Sequence, residues 1–437
     1  MAHIQEAESL FLQGEFQKSF DALQELTQEK SQGRAQYLLG LFYFYGILVP
    51  EDNDMFSDYL DKAWEDKELL SFMCIIYMRD DSKERTQAYR ELMKLLREQA
   101  KEEDPWAMHQ IGLMYEKGLG IHEDMEKALT WYEKAANLGL VMAMADAGKL
   151  YFSEGQPFYD PKKGFYWYLK GAALGYHVAE VRLADCYYCG MGVEEDPEKA
   201  EVCFKRAADH GDLEACDALG TLYVLGDDLH RDEKKALLYF QKGAERGSAS
   251  CYYKWGDCFF YGRGVAVNHQ RALELYEKAW DLGYTPAAAA IGMMYIMGLL
   301  GENQEELGFK WVQKAADAGD VNGLAYVGNC YAEGLGVSPD PYKAKSYLQE
   351  AADQGQIEAI CKLGELAMQE ENYFEAVKRF KEAADEGYVR AENFLGICYA
   401  KGFGVPRNLR MAEEWFRRSD EKGDPDAKVL MKEYLHL

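Results

Sequence analysis

The stretch WAMHQIGLMYEKGLGIHEDMEKALTWYEKAANLG, residues 106–139, reads as two amphipathic helices joined by a glycine turn. In the first helix Ala107, Ile111, Gly112 and Tyr115 fall on one face at helical spacing. The run Gly118-Leu119-Gly120 stops it, because glycine accepts the left-handed conformation a helix C-terminus needs. The second helix carries Ala128, Leu129, Tyr132, Ala135 and Ala136 and ends at Gly139. A pair this small cannot bury its apolar face alone, so it needs neighbours.

The closing glycine recurs as Gly139, Gly175, Gly211, Gly247, Gly283, Gly319, Gly355, Gly387 and Gly423, with a spacing of 36 six times, then 32, then 36. A mid-helix glycine keeps the same count at 112, 148, 220, 256, 292, 328, 364 and 396, with Ala184 in the missing place. Two ladders of one period, on a helix–turn–helix unit, predict an all-α solenoid. The 32-residue step is local, since Met368 to Asn372 lacks the longer G-x-G loop.

The pattern A-x-x-x-L-G-x-x-Y-x-x-G-x-G-V followed by K-A-x-x-W/Y-Y/F-x-K-A-A-x-x-G resembles the Sel-1-like repeat, a relative of the tetratricopeptide repeat. Ala325 to Val337, Lys343 to Gly355 and Ala391 to Val405 carry it closely, and the resemblance runs from Trp106 to Gly423. Towards the N-terminus Ala35 to Gly46 keeps the first-helix pattern, whereas Leu69 to Gln99 has no glycine ladder. The resemblance implies a right-handed α/α superhelix and an adaptor role, without naming a partner.

The expected organisation is divergent helix pairs over 1–104 continuous with the solenoid, nine regular repeats over 105–423, and a capping helix over 424–437. With three irregular pairs that makes about twelve pairs in all. Helix entry is signalled at Asp104-Pro105, Asp160-Pro161, Asp196-Pro197 and Asp340-Pro341, each pairing a capping carboxylate with a proline the first helical position tolerates. The acidic loop Pro50 to Asp54 caps the helix after it, and Asp80-Asp81-Ser82 breaks a third irregular pair over 68–100.

Lys and Arg total 49 against 75 Asp and Glu, a balance of −26. Phosphate backbones and anionic bilayers are repelled by such a surface, which argues against nucleic acid and membrane and for a basic protein partner. Solubility alone is the plainer account of the charge. Glu6 and Glu8 stand where a secretory signal would be basic and apolar, so a cytoplasmic location is expected. Leu38 to Val49 is too short to span a bilayer, and Ala287 to Leu300 sits on the repeat ladder as a buried first helix.

Ten cysteines are spread unevenly, unlike the paired cysteines of disulfide-stapled secreted relatives, and read as free thiols in a core. Five G-x-G runs, beginning at Gly118, Gly190, Gly262, Gly334 and Gly402, follow helices rather than strands and lack a third glycine, which excludes a dinucleotide fold. Hydrolase, metalloprotease and phosphate-loop motifs are missing, so no catalytic residue, cofactor or metal is expected. The one C-x-x-C, Cys186 to Cys189, with Cys203 and Cys216 on the next two helices, leaves zinc or redox chemistry as a minor reading beside simple packing.

Binding is placed by helix geometry. Counting from the marker glycine of each first helix, positions −5, −1, 0 and +3 form the packed stripe, and −6, −3, +1, +4 and +5 face the other way. In relatives that side lines a concave groove. These positions give Trp106, His109, Glu116 and Lys117 in repeat 1, Asp185, Tyr188 and Cys189 in repeat 3, and Glu214, Asp217 and Thr221 in repeat 4. Repeat 5 supplies Tyr253, Asp257, Phe260 and Tyr261, and repeat 6 supplies Ala289, Met293, Ile296 and Met297. The candidate partner-binding set is therefore Asp185, Tyr188, Asp217, Tyr253, Asp257, Tyr261, Met293 and Met297. A basic side chain would pair with the aspartates and stack on the tyrosines, and an apolar neighbour would use the methionines. The aromatics at +4 and +5 have packing against the next repeat as their alternative role. The expected function is a scaffold or adaptor, with an inhibitor that neutralises a basic enzyme as the alternative.

Overall fold

The computed structural model describes residues 2–28, 33–49, 52–65, 82–226, 231–301 and 304–435. Among these residues there are 24 helices and no strand. The chain divides into two compact units, Met1–Arg231 and Asp232–Leu437, each an α-solenoid of stacked helix–turn–helix hairpins. Numbering follows the closing glycines, so repeat 1 ends at Gly139 and repeat 9 at Gly423.

Five of the nine regular hairpins are closed by one steric fit. A Cβ added at Gly112 would stand 2.6 Å from the Tyr132 ring, and one at Gly148 would stand 2.5 Å from Tyr168. Gly256 meets Tyr276 and Gly364 meets Phe380, both at 2.6 Å, and Gly396 lies against Phe416 in the same way. The missing side chain lets a ring of the second helix lie on the backbone of the first. Repeat 7 seats Leu348 there instead. Repeat 6 has no ring, and Gly292 against Val312 with Gly308 against Ile296 lets the two helices approach through glycine on both sides.

The predicted helix entries are present. Asp104, Asp160, Asp196 and Asp340 each accept hydrogen bonds from amides of the first turn they precede, with proline beside them. Asp52 accepts from Met55 N in the acidic loop. The G-x-G runs are resolved into two tasks. The first glycine (Gly118, Gly190, Gly262, Gly334, Gly402) takes a left-handed conformation and ends the first helix. The second glycine in four of them, Gly192, Gly264, Gly336 and Gly404, presses on a backbone carbonyl that starts the preceding repeat's second helix, at Pro161, Glu233, Glu305 and Tyr373. No Cβ fits there, so the motif is a joint between hairpins.

At the N-terminus Gly40 sits against Phe56, repeating the seat in the pair Gly33–Phe44 and Asn53–Glu65. Of the third irregular pair, the helix Ser82–Lys101 is seen, whereas the first member and Cys74 lie outside the described residues. The N-terminal helices reach well along the first unit. Phe11 packs on Trp106 with ring centroids 5.1 Å apart, and Gln110 donates to Tyr37 Oη at 3.1 Å. Arg34 bridges Glu8 at 2.8 Å and Asp104 at 3.0 Å. His177, at the start of repeat 3, bonds the Tyr45 carbonyl at 3.1 Å. In the second unit the terminal helix Pro425–Leu435 lays Leu430, Met431 and Tyr434 over Ala412 and Phe416.

Two fully buried glutamates occupy one register. Glu180 meets Arg206 at 2.7 Å, as an ion pair not aligned for a hydrogen bond, and accepts from His210 Nδ1 at 2.8 Å. Glu392 meets Arg418 at 2.6 Å and Lys422 at 2.8 Å. The hydrogen bond to Glu180 raises the His210 pKa above its ordinary 6.5. A raised folded-state pKa gives stabilisation that is full below about pH 6.5 and fades as pH rises through the folded value. His210→Gln should therefore lower the melting temperature of the first unit at pH 5.5 and leave it nearly unchanged at pH 8.5, as followed by circular dichroism.

The ring seat makes a second, sharper prediction. Gly148→Ala forces a methyl group into Tyr168 and should cost about 1–3 kcal/mol by overpacking. Gly175→Ala, at a closing glycine with open space around it, meets only backbone strain and should cost about 1–2 kcal/mol. Urea unfolding of the two variants, with hydrogen exchange to localise the loss, reads the difference.

Candidate functional site

The packed stripe is where the spacing puts it. Position −5 is Ala107, Ala143, Ala179, Ala215, Cys251, Ala287, Gly323, Ala359 and Ala391 in successive first helices, and every one is buried. The opposite side is less uniform than expected. Position −3 is buried as His109, Val181, Ala289, Ala325, Cys361 and Asn393, because the neighbouring first helix covers it. Trp106, His109 and Glu116 of repeat 1, expected to face a groove, are likewise packed. His109 Nε2 lies 2.7 Å from Asp146 Oδ2 of the next repeat. Glu116 accepts from Tyr132 Oη at 2.6 Å and from Lys149 Nζ at 3.0 Å. Position +5 is the register that stays open, at Lys117, Cys189, Leu225, Tyr261, Met297, Glu333, Gln369 and Lys401.

In the first unit Tyr188 is exposed, at 47%. Asp185, one of the candidate partner-binding residues, is engaged within the chain: Arg182 donates to it at 3.0 Å and to Glu214 at 2.8 Å. Asp217 is half-buried on the helix Leu213–Leu225, where its carbonyl accepts from Thr221 Oγ1 at 2.8 Å.

The second unit brings more of the set together. Tyr276 Oη donates to Asp257 Oδ1 at 2.6 Å, so this aspartate too serves its own hairpin. Tyr253 packs on Tyr276 and on Tyr284, with centroids 5.2 and 5.1 Å apart. Burial raises the Asp257 pKa against that hydrogen bond, and burial raises Asp185 against Arg182. Both are weaker anions than a surface carboxylate. Tyr261 and Met297, each 59% exposed, stand at +5 on the first helices of repeats 5 and 6. Met293 is half-buried and lines a cavity of about 340 Å³ with Ile296, Tyr326, Lys362, Tyr388 and Arg390.

That cavity holds side chains the spacing argument passed over. Position −2 was assigned to neither face, yet Arg182, Lys254, Tyr326, Lys362 and Phe394 occupy it and are half-buried. Lys362 Nζ reaches Glu333 at 2.6 Å and Glu365 at 3.2 Å, and Arg390 meets Glu365 at 3.0 Å. The surface is aromatic and apolar, with ion pairs rather than bare acid. Reading position −2 in register along the ladder was the signal available for these residues.

Models of the Sel1 repeat match residues 33–55, 107–140, 141–176, 177–212, 213–248, 249–284, 285–320, 321–356 and 389–424. The chain belongs to the Sel1 repeat family. The matches omit 357–388, which is the shortened repeat, although its helices Ile357–Gln369 and Tyr373–Asp385 form the same hairpin. A protective antigen of uropathogenic Escherichia coli displaying an SLR fold is similar at 25% identity and TM-score 0.57, over 95% of this chain and 82% of that one. A Sel1 repeat protein from Oxalobacter formigenes shares the fold at 24% identity and TM-score 0.51, over 81% of this chain and 95% of that one. A putative sel1-like repeat-containing protein of Acanthamoeba polyphaga mimivirus is 34% identical over 62 residues, which is 14% of this chain and 12% of that protein.

The cysteines of this Sel1 chain follow the packing register. Cys186, Cys258, Cys330 and Cys398 all stand at +2, where other repeats place Met114, Leu150, Leu222, Met294 and Leu366, and all nine positions are buried. Burial pushes the four thiols up to about 12. A thiol held protonated is a poor nucleophile at neutral pH. Among the described residues no three His, Cys, Asp or Glu side chains are grouped to hold a metal ion. With a disulfide-exchange reagent at pH 8, exposed Cys189 should react at once and Cys186 only on unfolding, as resolved by peptide mass spectrometry.

Proposed function

We propose that this chain is a protein–protein interaction scaffold whose partner site lies on the first-helix face of the second unit. Sel1 repeat proteins generally act in protein–protein interaction. The observation that carries the placement is the +5 register: Tyr261 and Met297 are exposed and apolar in adjacent repeats, where later repeats of the same unit put Glu333, Gln369 and Lys401. Two exposed large side chains beside the Tyr253, Tyr276 and Tyr284 cluster supply the aromatic and Met-type contacts that anchor protein partners. Arg263 already lies over the Tyr261 ring, 4.8 Å from its centroid, so a partner segment would add apolar contact to Tyr261 and Met297, and a basic one would answer the net charge of −26 by long-range attraction.

The aspartates become supporting members. Asp257 orients Tyr276, and Asp185 orients Arg182, so their influence on a partner is carried through those neighbours. No helix among the described residues is long and apolar enough to cross a membrane, and the nine described cysteines are free. Work in a reducing cytoplasm suits both facts. The alternative, an inhibitor that neutralises a basic enzyme, draws on charge alone and would use a wider surface than these two repeats.

A photo-crosslinking residue at position 261 or 297 should capture a partner from lysate of the source cells. The same residue at Leu238, exposed on a second helix of this unit, should not. Tyr261→Ala/Met297→Ala should weaken retention of that partner at least tenfold with the melting temperature unchanged, since neither side chain supports the core. Equal capture at Leu238, or full retention by the double variant, moves the site elsewhere.

A further inference from the structure

The 340 Å³ cavity on the first-helix face of the second unit reaches from Met293 in repeat 6 to Tyr388 and Arg390 at the entry to repeat 9. Most of its charge is spent inside the chain. Lys362 lies between Glu333 and Glu365, and Arg390 adds a second ion pair to Glu365. Two cations are thereby held by two carboxylates. Glu358, exposed in the first turn of the helix Ile357–Gln369, lines the same cavity and has no ion-pair partner among the described residues.

Tyr326 and Tyr388 line the cavity beside it. Burial raises the pKa of both phenols, and the Glu358 carboxylate adds to the rise at each, so it stands within electrostatic reach of both rings. Both residues are half-buried, and among the described residues neither ring carries a cation of this chain. Other rings of the unit do carry one: Arg263 lies over Tyr261, and Lys314 lies 3.8 Å from the centroid of Trp311.

Further along the cavity, Asn329 Oδ1 is buried with no hydrogen-bond partner. Asn329 stands at +1, and the other polar side chains at +1 are all engaged. Lys149 is held by Glu116, Asp185 by Arg182, Thr221 by the Asp217 carbonyl, Asp257 by Tyr276 and Glu365 by Lys362. A buried acceptor left open costs about 1–3 kcal/mol, so a donor is due there. At 1.5 Å per residue, Glu358 at −6 and Asn329 at +1 are about 10 Å apart along the helix direction, and Ile296 at +4 lies about 5 Å beyond. An extended chain rising about 3.3 Å per residue covers that length with four or five residues.

We propose that this cavity is the specificity pocket of the partner site. It takes one lysine or arginine of an extended partner segment at Glu358, between Tyr326 and Tyr388. It holds a backbone N–H of that segment on Asn329, and it receives an apolar side chain three to five residues away against Met293 and Ile296. The pocket rests on the reading that the first-helix face of the second unit binds a partner. A basic side chain gives Glu358 an ion pair and the two rings a cation. An acidic segment would set like charge against Glu358, and a wholly apolar one would leave that carboxylate unpaired beside it.

Selection of phage-displayed random peptides on the immobilised full chain tests this without a known partner. Enriched sequences should carry a lysine or arginine three to five positions from Leu, Ile, Met or Phe. A synthetic peptide of the enriched sequence, titrated by calorimetry, should bind Glu358→Gln at least tenfold more weakly and Asn329→Ala about fivefold more weakly. Replacing its basic residue by citrulline or acetyl-lysine should reproduce the Glu358→Gln loss, and Arg390→Gln should bind as the natural chain does. Enrichment of acidic sequences, no enrichment, or full binding by both pocket variants overturns the proposal. Tyr261→Ala/Met297→Ala separates it from the placement on which it rests. A peptide lost there but kept by both pocket variants leaves the face as the site and removes the pocket. A peptide kept there but lost from the pocket variants upholds the pocket and removes Tyr261 and Met297 from the site.

Discussion

A glycine in the middle of a helix costs about 1 kcal/mol relative to alanine, yet this chain repeats one in almost every first helix. The cost is offset by what the bare backbone admits, a ring of the second helix lying flat on the first. Gly112 with Tyr132, Gly148 with Tyr168 and Gly256 with Tyr276 are the same contact, 20 residues apart. In the shortened repeat the ring follows after 16 residues, as Phe380 after Gly364, and the contact is unchanged. Gly40 and Phe56 keep the 16-residue version near the N-terminus. Loop length is therefore free and the seat is not. Once the seat fixes a hairpin, the second glycine of four of the five G-x-G runs fixes its joint to the previous one.

This is why the fold could be read so fully from the sequence. One residue type marks one steric requirement, and the requirement recurs with the hairpin. The groove was read less well, and the misplaced residues share a cause. A helical wheel separates sides of one helix, but a first helix in a solenoid has a neighbour on each flank. Position −3 disappears beneath that neighbour, as His109 does against Asp146, and position −2 comes partly into view, as Lys362 does. The aspartates carry partners that spacing does not report. Spacing reports which way Asp257 points and says nothing of the Tyr276 hydroxyl that meets it. The N-terminal contacts carry no period at all, so nothing in the ladder announces that Tyr45 meets His177, 132 residues away.

The C-x-x-C is instructive in the same terms. Positions +2 and +5 of a first helix are three residues apart, one packed and one open. Cys186 takes the place that methionine or leucine fills elsewhere, and Cys189 takes the exposed place that Lys117 and Tyr261 fill in other repeats. Two unrelated choices at fixed offsets produce a pattern that looks like a redox motif. Burial then sets the two apart, since it pushes the Cys186 thiol up to about 12 while Cys189 stands exposed.

Repetition also indicates where to look for what is particular to this molecule. Positions that every repeat must satisfy carry no information about a partner, however prominent their side chains. Tyr132, Tyr276 and Phe416 are large and aromatic, and each is consumed by its own hairpin. Position +5 is under no such demand, since lysine, cysteine, leucine, tyrosine, methionine, glutamate and glutamine all occur there. At an unconstrained, solvated position an apolar side chain gains nothing from the fold and loses hydration. Leu225, Tyr261 and Met297 therefore stand out at this position as apolar side chains left in solvent, and on the reading proposed above a partner surface that covers Tyr261 and Met297 is the reason for those two.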